Sequence, residues 1–225
     1  MDPREQFVAR IADSAFPCVG AKSALAQDQL HFVRAGDLRN ADDDARLLRS
    51  IEDFVSDQGA EAVFTSLVLL FERTPKLDEA GFEGALWQRL QCLHALDARQ
   101  HAWDPTVGKD PAEADFSMSL GGRAFYVVGL HPGASRAARR FDCAALVLNL
   151  HSQFEALRAD GRYERLRDAI TGRDTAYSGT RNPMLAAHGE ASEARQYSGR
   201  VVEGGWRCPF SPLAPPSGVR ERDGH

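Results

Sequence analysis

The chain has 225 residues, enough for one domain with a sizeable core and short for two. Apolar residues make up 43% of the sequence and charged residues 26%, a balance typical of globular proteins. The formal net charge of −5 argues against general affinity for nucleic acid or for anionic membranes, so any basic site must be local.

Neither the hydropathy nor the cysteine spacing indicates a membrane protein or a secreted one. The first twenty residues mix acidic and apolar side chains and lack the apolar core of a secretory signal, which predicts a cytoplasmic location. The longest apolar run, from Ala62 to Phe71, is about half of the ~20 residues that a membrane-spanning helix needs, so it predicts a buried strand instead. The cysteines form no C-x-x-C pair, which argues against a zinc knuckle or a dithiol redox centre.

The first half of the chain predicts two strands, each followed by a helix. The segment "LHFVRAG" (30–36) predicts a short strand, and "NADDDARLLRSIEDFVSDQG" (40–59) predicts an amphipathic helix with an acidic first turn and a glycine beyond its end. The buried strand at 62–71 precedes a break at Thr74-Pro75 and a long helix from about Asp78 to Gln100. His94 lies on a packed stripe of that helix, so we assign it no ligand role.

A long loop and two strands that end in histidine come next. Residues 101–122 contain several breakers and little periodicity, and loops of this length are often functional, so we expect this loop to close over a pocket. The segments "RAFYVVGLH" and "CAALVLNLH" predict strands that end at His131 and His151. The short step between them leaves no room for a long crossover helix. We therefore predict an α+β domain with a mixed or antiparallel central sheet flanked by helices.

The last third of the chain predicts a helix around 163–170, after a break at Gly161, and then an irregular region rich in Gly, Ser, Asn and Pro. The final residues have the composition of a disordered tail. The sequence thus predicts one domain over residues 1–210 and a disordered tail over 211–225.

The stretch "GLHPGASRAARRF" (129–141) is the first candidate site. If Pro132 began a helix, then Arg136, Arg139 and Arg140 would share one face of it, next to the strand-end His131. Guanidinium groups at a helix N-terminus suit an anion. The alternative is that these arginines pair with acidic residues of the same chain: Asp142, Glu155 or Asp174.

His151 is the second candidate, because it shares a strand face with Asn149 and can line a pocket or form a hydrogen bond in the core. No zinc pattern, nucleotide-binding glycine loop or serine-hydrolase elbow accompanies these residues. The residues alone leave two kinds of site. One is a histidine-ligated metal or haem centre with arginines holding its carboxylates, and the other is a phosphate-ester enzyme that uses the histidine and the arginines directly.

Five blocks of sequence together resemble the YqcI/YcgG family from about residue 16 to 210: "FPCVGAKSAL", "FYVVGLHPGASRAARRF", "LVLNLHSQFEALRADGRY", "RNPML" and "SEARQYSGRVVEGGWRCPF". Members of that family include the haem-dependent N-hydroxylases of guanitoxin and cycloserine biosynthesis, which oxygenate a guanidine nitrogen of arginine or of an arginine-derived compound. The resemblance implies a haem b protein that activates dioxygen and N-hydroxylates a guanidine or amine substrate. A non-catalytic haem-binding or gas-sensing protein is the alternative.

The resemblance, joined to the strand-end histidines, implies an axial ligand for haem and a set of propionate partners. His131 is the expected ligand, with His151 as its rival or as a distal residue, and a thiolate from Cys18 or Cys208 is a third option. The cations expected to hold the propionates are Arg136, Arg139, Arg140 and Lys22.

A guanidinium substrate beside the iron also implies a partly buried carboxylate, for which the candidates are Glu155, Asp174 and Glu193. Further hydrogen bonds to oxygen or substrate are expected from Ser178, Asn182 and Tyr197. No flavin or iron–sulfur signature is present, so electrons must come from an external donor. The oligomeric state is left open between a monomer and a homodimer.

Overall fold

The computed structural model describes residues 1–58, 64–185 and 191–213, and in these ranges a five-stranded sheet lies between two layers of helices. The strands are β1 (Leu30–Ala35), β2 (Ser66–Phe71), β3 (Met118–Leu120), β4 (Arg123–Leu130) and β5 (Ala144–Leu150). Their spatial order is β1-β2-β5-β4-β3. Only β1 and β2 are parallel, and the other neighbours are antiparallel, so the predicted α+β fold with a mixed sheet is confirmed.

The helices of the described ranges are α1 (Pro3–Ala12), α2 (Val19–Ala26), α3 (Asp44–Asp57), α4 (Glu79–Asp97), α5 (His151–Ala159), α6 (Tyr163–Ser178) and α7 (Ala194–Tyr197). Helices α3 and α4 share one hydrophobic core with one face of the sheet. Apolar residues of α1 and α2 pack against the other face. Within these ranges, no helix has both the length and the apolar character that crossing a bilayer requires.

The continuous apolar run of β2 follows from its central place in the sheet. All six of its residues are buried, since β1 and β5 pair with its two edges and helices cover both faces. Leu67 and Leu69 pack in the core with α3 and α4, whereas Val68 and Leu70 pack in the core with α1 and α2. The strand begins at Ser66, later than predicted, and residues 62 and 63 of the predicted strand lie outside the described residues.

The other predicted elements of the first half are also found, with shifted ends. Helix α3 ends at Asp57, and the glycine predicted to follow it lies outside the described residues. Helix α4 begins after Asp78, whose side chain accepts a hydrogen bond from the Gly81 N–H at 2.8 Å and caps the helix. Helices α1 and α2 were not predicted, and β3 lies within the segment predicted to be a long loop.

The helix predicted from Pro132 is wrong. The segment contains only a short 3-10 turn, Ala137–Arg139, because the chain folds back on itself before β5. The His131 N–H donates to the Arg139 carbonyl at 3.1 Å, and the Phe141 N–H donates to the His131 carbonyl at 3.3 Å. These bonds tie the two ends of the segment together and leave no room for a regular helix.

The predicted disordered tail, 211–225, lies outside the described residues from 214 onward. The first residues of this tail contact α4. The Ser211 N–H donates to the Gln91 side chain at 2.8 Å, and the Leu213 N–H donates to His94 Nε2 at 2.9 Å. His94 is buried and serves packing, as predicted.

Candidate functional site

Two adjoining cavities, together called the cleft here, lie between β4, α5, α6, Leu185 and residues of the ranges 106–116 and 191–196. Their volumes are about 270 Å³ and about 260 Å³, near the lower end of the ~300–1,000 Å³ range of small-molecule sites. Side chains shared by both cavities make the cleft continuous: Tyr126, Phe154, Tyr163, Arg167, Leu185 and Gln196.

Strand alternation and one glycine position the walls of the cleft. Tyr126 and Val128 of β4 line it, whereas Phe125 and Val127 point to the core with α3 and α4. Gly161 has a φ of +66°, a left-handed conformation that glycine adopts at little cost. This turn lets α6 follow α5 directly, so that both helices line the cleft.

His151 lies in the cleft. It is the first residue of α5, directly after β5, and its side chain is 14% exposed. Its Nε2 is 3.7 Å from Glu155 Oε1, one helical turn farther along. The imidazole therefore borders a cavity that is large enough for a ligand.

His131 occupies a different environment. It is buried and lines neither cavity of the cleft. Its ring stacks on Phe82 of α4, with centroids 4.1 Å apart and planes 12° apart, and Nδ1 has no hydrogen-bond partner among the described residues. Burial lowers the pKa of His131, so the imidazole is held neutral.

The strand register separates the two histidines. In the antiparallel β4–β5 pair, Leu130 lies opposite Ala145, whereas His151 follows the far end of β5. Six residues of β5 span about 20 Å at ~3.4 Å per residue. Two histidines this far apart cannot both lie next to one iron atom, so the expectation of a distal His151 opposite His131 is wrong.

Contrary to the prediction, Arg136, Arg139 and Arg140 do not present their guanidinium groups to one common site but bond to separate groups of the protein. Arg136 Nε donates to Asp174 Oδ2 at 3.0 Å, and Arg136 Nη2 donates to the same carboxylate and to the Thr180 carbonyl. Ser178 Oγ donates to Asp174 Oδ1 at 3.1 Å. The alternative prediction, pairing with an acidic residue of the same chain, is confirmed for Arg136.

The other predicted cations bind backbone carbonyls. Arg139 donates to the carbonyls of Gly129, Tyr197 and Gln196 at 2.9–3.1 Å. Arg140 is exposed and donates to the carbonyls of Ala134 and Ser135. Lys22 Nζ donates to the carbonyls of Ile11 and Asp13 near the end of α1. These cations hold loops and a helix end in place.

Two arginines that the sequence analysis did not single out line the cleft. Arg158 lies over the Tyr163 ring, with its guanidinium carbon 4.3 Å from the ring centroid, and pairs with Glu155. Arg167 borders both cavities. A signal was present in the sequence: His151, Glu155 and Arg158 follow at i, i+4 and i+7, which is one stripe of a helix.

Glu193 is the most enclosed carboxyl group of the first cavity, which Asp115 and Glu155 also line. Its Oε1 accepts hydrogen bonds from Ser117 Oγ at 2.7 Å and from Tyr197 OH at 2.5 Å. Burial raises the pKa of Glu193 to about 7, against the two hydroxyl hydrogen bonds and the more distant charge of Arg158, which lower it. Among the predicted carboxylates, Asp174 is paired with Arg136 and Glu155 is half exposed and paired with Arg158.

The remaining predicted residues lie at or near the cleft. Asn182 and Cys18 line the second cavity, and the Tyr197 hydroxyl bonds to Glu193. Burial raises the pKa of the Cys18 thiol, and it raises the pKa of Cys208, which lies outside the cleft, to about 12. Both sulfurs are therefore held as thiols rather than thiolates.

Comparison with known proteins agrees with the sequence blocks that pointed to one family. No curated protein and no solved structure shows significant similarity to the chain. The sequence does match the model of the YqcI/YcgG family over residues 7–211, a range that includes every residue of the cleft described above. Because this match spans most of its length, the chain belongs to the YqcI/YcgG family.

Proposed function

We propose that this protein is a haem-dependent monooxygenase that N-hydroxylates a guanidine or amine substrate, arginine or a compound derived from it, in the cleft. The observation that carries the proposal is that His151 and the enclosed carboxyl group of Glu193 line the same cavity. One is a candidate iron ligand, and the other is a candidate partner for a cationic substrate. Family membership supplies the link to haem.

The side chains of the cleft fit haem b. The fit rests on an imidazole at the edge of the cavity, two guanidinium groups and a set of aromatic and aliphatic walls. His151 would hold the iron, and Arg158 and Arg167 would pair with the propionates. This assignment differs from the sequence-based one. Arg136 is paired with a buried carboxylate, and Arg139 and Lys22 with backbone carbonyls. The ion pairs of Arg158 and Arg167 are instead with carboxylates that are 50% and 69% exposed, so exchanging them for propionates would cost little. Bound haem would supply the activation of dioxygen.

Glu193 would orient the cationic end of the substrate. A guanidinium group presents two parallel N–H donors that match a carboxylate, and such a pair is strongest where water is excluded. Without a cation, burial holds the pKa of Glu193 near 7, so a large fraction of the carboxyl groups is protonated at neutral pH. Binding of a cation would displace that proton and fix the reacting nitrogen at one place in the cavity.

The proposal includes an external electron donor, because haem monooxygenases need a reductant. It also includes a cytoplasmic location.

The arrangement of the arginines gives little support to a phosphate-ester enzyme. Arg136, Arg139 and Arg140 donate to a carboxylate or to carbonyls of the chain and would have to give up those bonds to hold a phosphate.

The test is to load haem into tag-free wild-type protein, His151→Ala and His131→Gln, and to record the Soret band of each. We expect wild type and His131→Gln to form the same haem complex and His151→Ala to lose or shift the band. The His131 variant is the matched control, since this histidine lies at the other end of β4–β5. Urea unfolding of each variant checks that the fold is retained.

The loaded wild type is then given arginine and related guanidines and amines with dioxygen and a reductant, and products are analysed by mass spectrometry. A product with one added oxygen on nitrogen supports the proposal. A wild type that stays colourless with ample haem overturns it. Haem-loaded protein that forms no product from any of these compounds would show a haem-binding protein without this activity.

A further inference from the structure

A second group of side chains with ligand character lies outside the cleft, where α3 meets the end of α4. Glu52 comes from α3, Asp97 is the last residue of α4, and His101 lies one turn beyond it. Their ligand atoms all lie within 4.8 Å of one another. None of the three lines the cleft.

The distances match those between donors on one metal ion. His101 Nδ1 is 3.0 Å from Asp97 Oδ1 and 3.7 Å from Glu52 Oε1. Metal bonds of ~2.0–2.1 Å at tetrahedral angles place two donor atoms about 3.3 Å apart. The two distances lie on either side of that value, so a small movement of the Glu52 side chain would complete the geometry.

The two carboxylates of this group favour binding of a cation. Glu52 Oε1 is buried and accepts no hydrogen bond from the described residues. The Asp97 side chain is 3% exposed, so a negative charge on its carboxyl group would be poorly solvated unless a cation lies close to it. Two carboxylates and an imidazole would balance a divalent ion, whereas without an ion the partly exposed Glu52 is within ion-pair distance only of His101 among the described residues.

The surroundings also hold the ligands in position. The Gly121 N–H donates to Asp97 Oδ1 at 2.7 Å, a bond of the kind that orients metal-binding carboxylates. The His101 N–H donates to the Asp97 carbonyl at 2.9 Å, which fixes the start of the segment that follows α4.

We propose that Glu52, Asp97 and His101 form a binding site for a divalent transition-metal ion, with Zn²⁺ binding more tightly than Mn²⁺. One nitrogen and two oxygen donors suit both ions, and Zn²⁺ lies above Mn²⁺ in the general order of affinity. The ion would join α3, the end of α4 and the turn at Gly121. This inference does not depend on the proposed haem chemistry.

The site has a structural consequence for the cleft. His101 begins the segment that carries Thr106 and Val107 into the cleft wall. An ion at His101 would fasten one end of that segment to two helices of the core. We therefore expect the metal to raise the melting temperature and to slow proteolysis of residues 102–117.

The test is a Zn²⁺ titration of tag-free, chelator-treated protein against a chromophoric competing chelator, at unchanged haem content. Wild type is expected to take up one equivalent. Glu52→Gln and His101→Gln should bind that equivalent at least tenfold more weakly, since even the hydrogen-bond partners of metal ligands contribute ~10–100-fold. The matched control is His31→Gln, another half-buried histidine, which should bind as wild type does.

Two further measurements make the result decisive. X-ray absorption of the zinc complex should show nitrogen and oxygen ligands without sulfur, which distinguishes this site from the cysteines. Unfolding curves in the absence of metal should show that Glu52→Gln, a partly exposed position, still folds. Failure of wild type to bind Zn²⁺, or equal binding by wild type and both variants, would overturn the proposal.

Discussion

At the scale of single residues, the Glu193 carboxyl group accepts hydrogen bonds from two hydroxyl groups that can also donate to a backbone carbonyl. Ser117 Oγ and Tyr197 OH each lie within hydrogen-bond distance of Glu193 Oε1, and each lies 3.1 Å from the Phe125 carbonyl oxygen. Each hydroxyl has one proton to donate, so the carboxylate and the carbonyl compete for two protons. Because the carbonyl shares these protons, the two hydrogen bonds only partly offset the effect of burial, which raises the pKa of Glu193 to about 7.

This pKa makes the stability of the protein depend on pH in a defined direction. Below pH 4.5 the carboxyl group is protonated in both the folded and the unfolded chain. Between 4.5 and about 7 the unfolded chain ionises first, so the folded state becomes less stable as the pH rises. At ~1.36 kcal/mol per pH unit, the effect approaches about 3 kcal/mol above pH 7.

Glu193→Gln removes the ionisable group and should therefore lose less stability than wild type as the pH rises from 4.5 to 7.5. Urea unfolding without substrate, at a series of pH values, measures the difference. Glu155→Gln is the control: it replaces the half-exposed carboxylate of the same cleft and should give a curve parallel to that of wild type. Parallel curves for wild type and Glu193→Gln would contradict the assigned pKa.

At the scale of elements, helix α6 is fastened to the β4–β5 connection by the Arg136–Asp174 pair. The two side chains are only 10% and 12% exposed. Arg136 also donates to the Thr180 carbonyl, just beyond the end of α6. This pair therefore positions the helix that carries Tyr163 and Arg167 into the cleft.

Arg136→Met should destabilise the protein by about 3 kcal/mol or more, because it leaves a buried carboxylate without a cation. The double variant Arg136→Met with Asp174→Leu should recover much of that loss, since it removes both charges. Free energies of urea unfolding provide the measurement. Arg162→Met, which breaks a pair whose two side chains are 51% and 55% exposed, should cost no more than about 0.5 kcal/mol. An unaffected Arg136→Met would show that Asp174 needs no internal partner.

Apolar patterns predicted the elements that supply most of the core, and they missed the structure that long-range contacts determine. Helices α3 and α4 carry regular apolar stripes, and β2 is a continuous apolar run, so each was recognised. The helix expected from Pro132 obeyed the local rules for a helix start. It does not form because His131 bonds to Arg139 and Phe141, a return of the chain that no local pattern encodes.

At the scale of the whole molecule, the sheet decides which candidate residues can act together. The sequence placed His131 and His151 at strand ends, and this is confirmed, but only the antiparallel register reveals that those ends lie apart. The resemblance and the alternation of β5 pointed to His151 as a rival ligand. Arg158 and Arg167, which line the same cavity as His151, come from two different helices. Only the folded structure shows that these helices lie side by side at the cleft.

The segment from 101 to 122 connects the two proposed sites. Asp104 anchors the segment near its start, because its carboxylate accepts hydrogen bonds from the Thr106 and Ala124 N–H groups at 2.9 and 2.8 Å. Residues on both sides of the 108–113 stretch line the cleft, among them Val107 and Phe116. A ligand in the cleft would therefore contact this segment together with α5 and α6.

Haem loading should accordingly slow amide hydrogen exchange in residues 105–116 and in α5 and α6, because bound haem would stabilise the walls of the cleft against local opening. Helix α3, on the other face of the sheet, is the internal control and should exchange as before. Mass spectrometry of peptides from haem-free and haem-loaded protein gives the comparison. Protection confined to residues 129–135 and α4 would place the haem at His131, at the opposite end of the β4–β5 pair, and would contradict the site proposed for it.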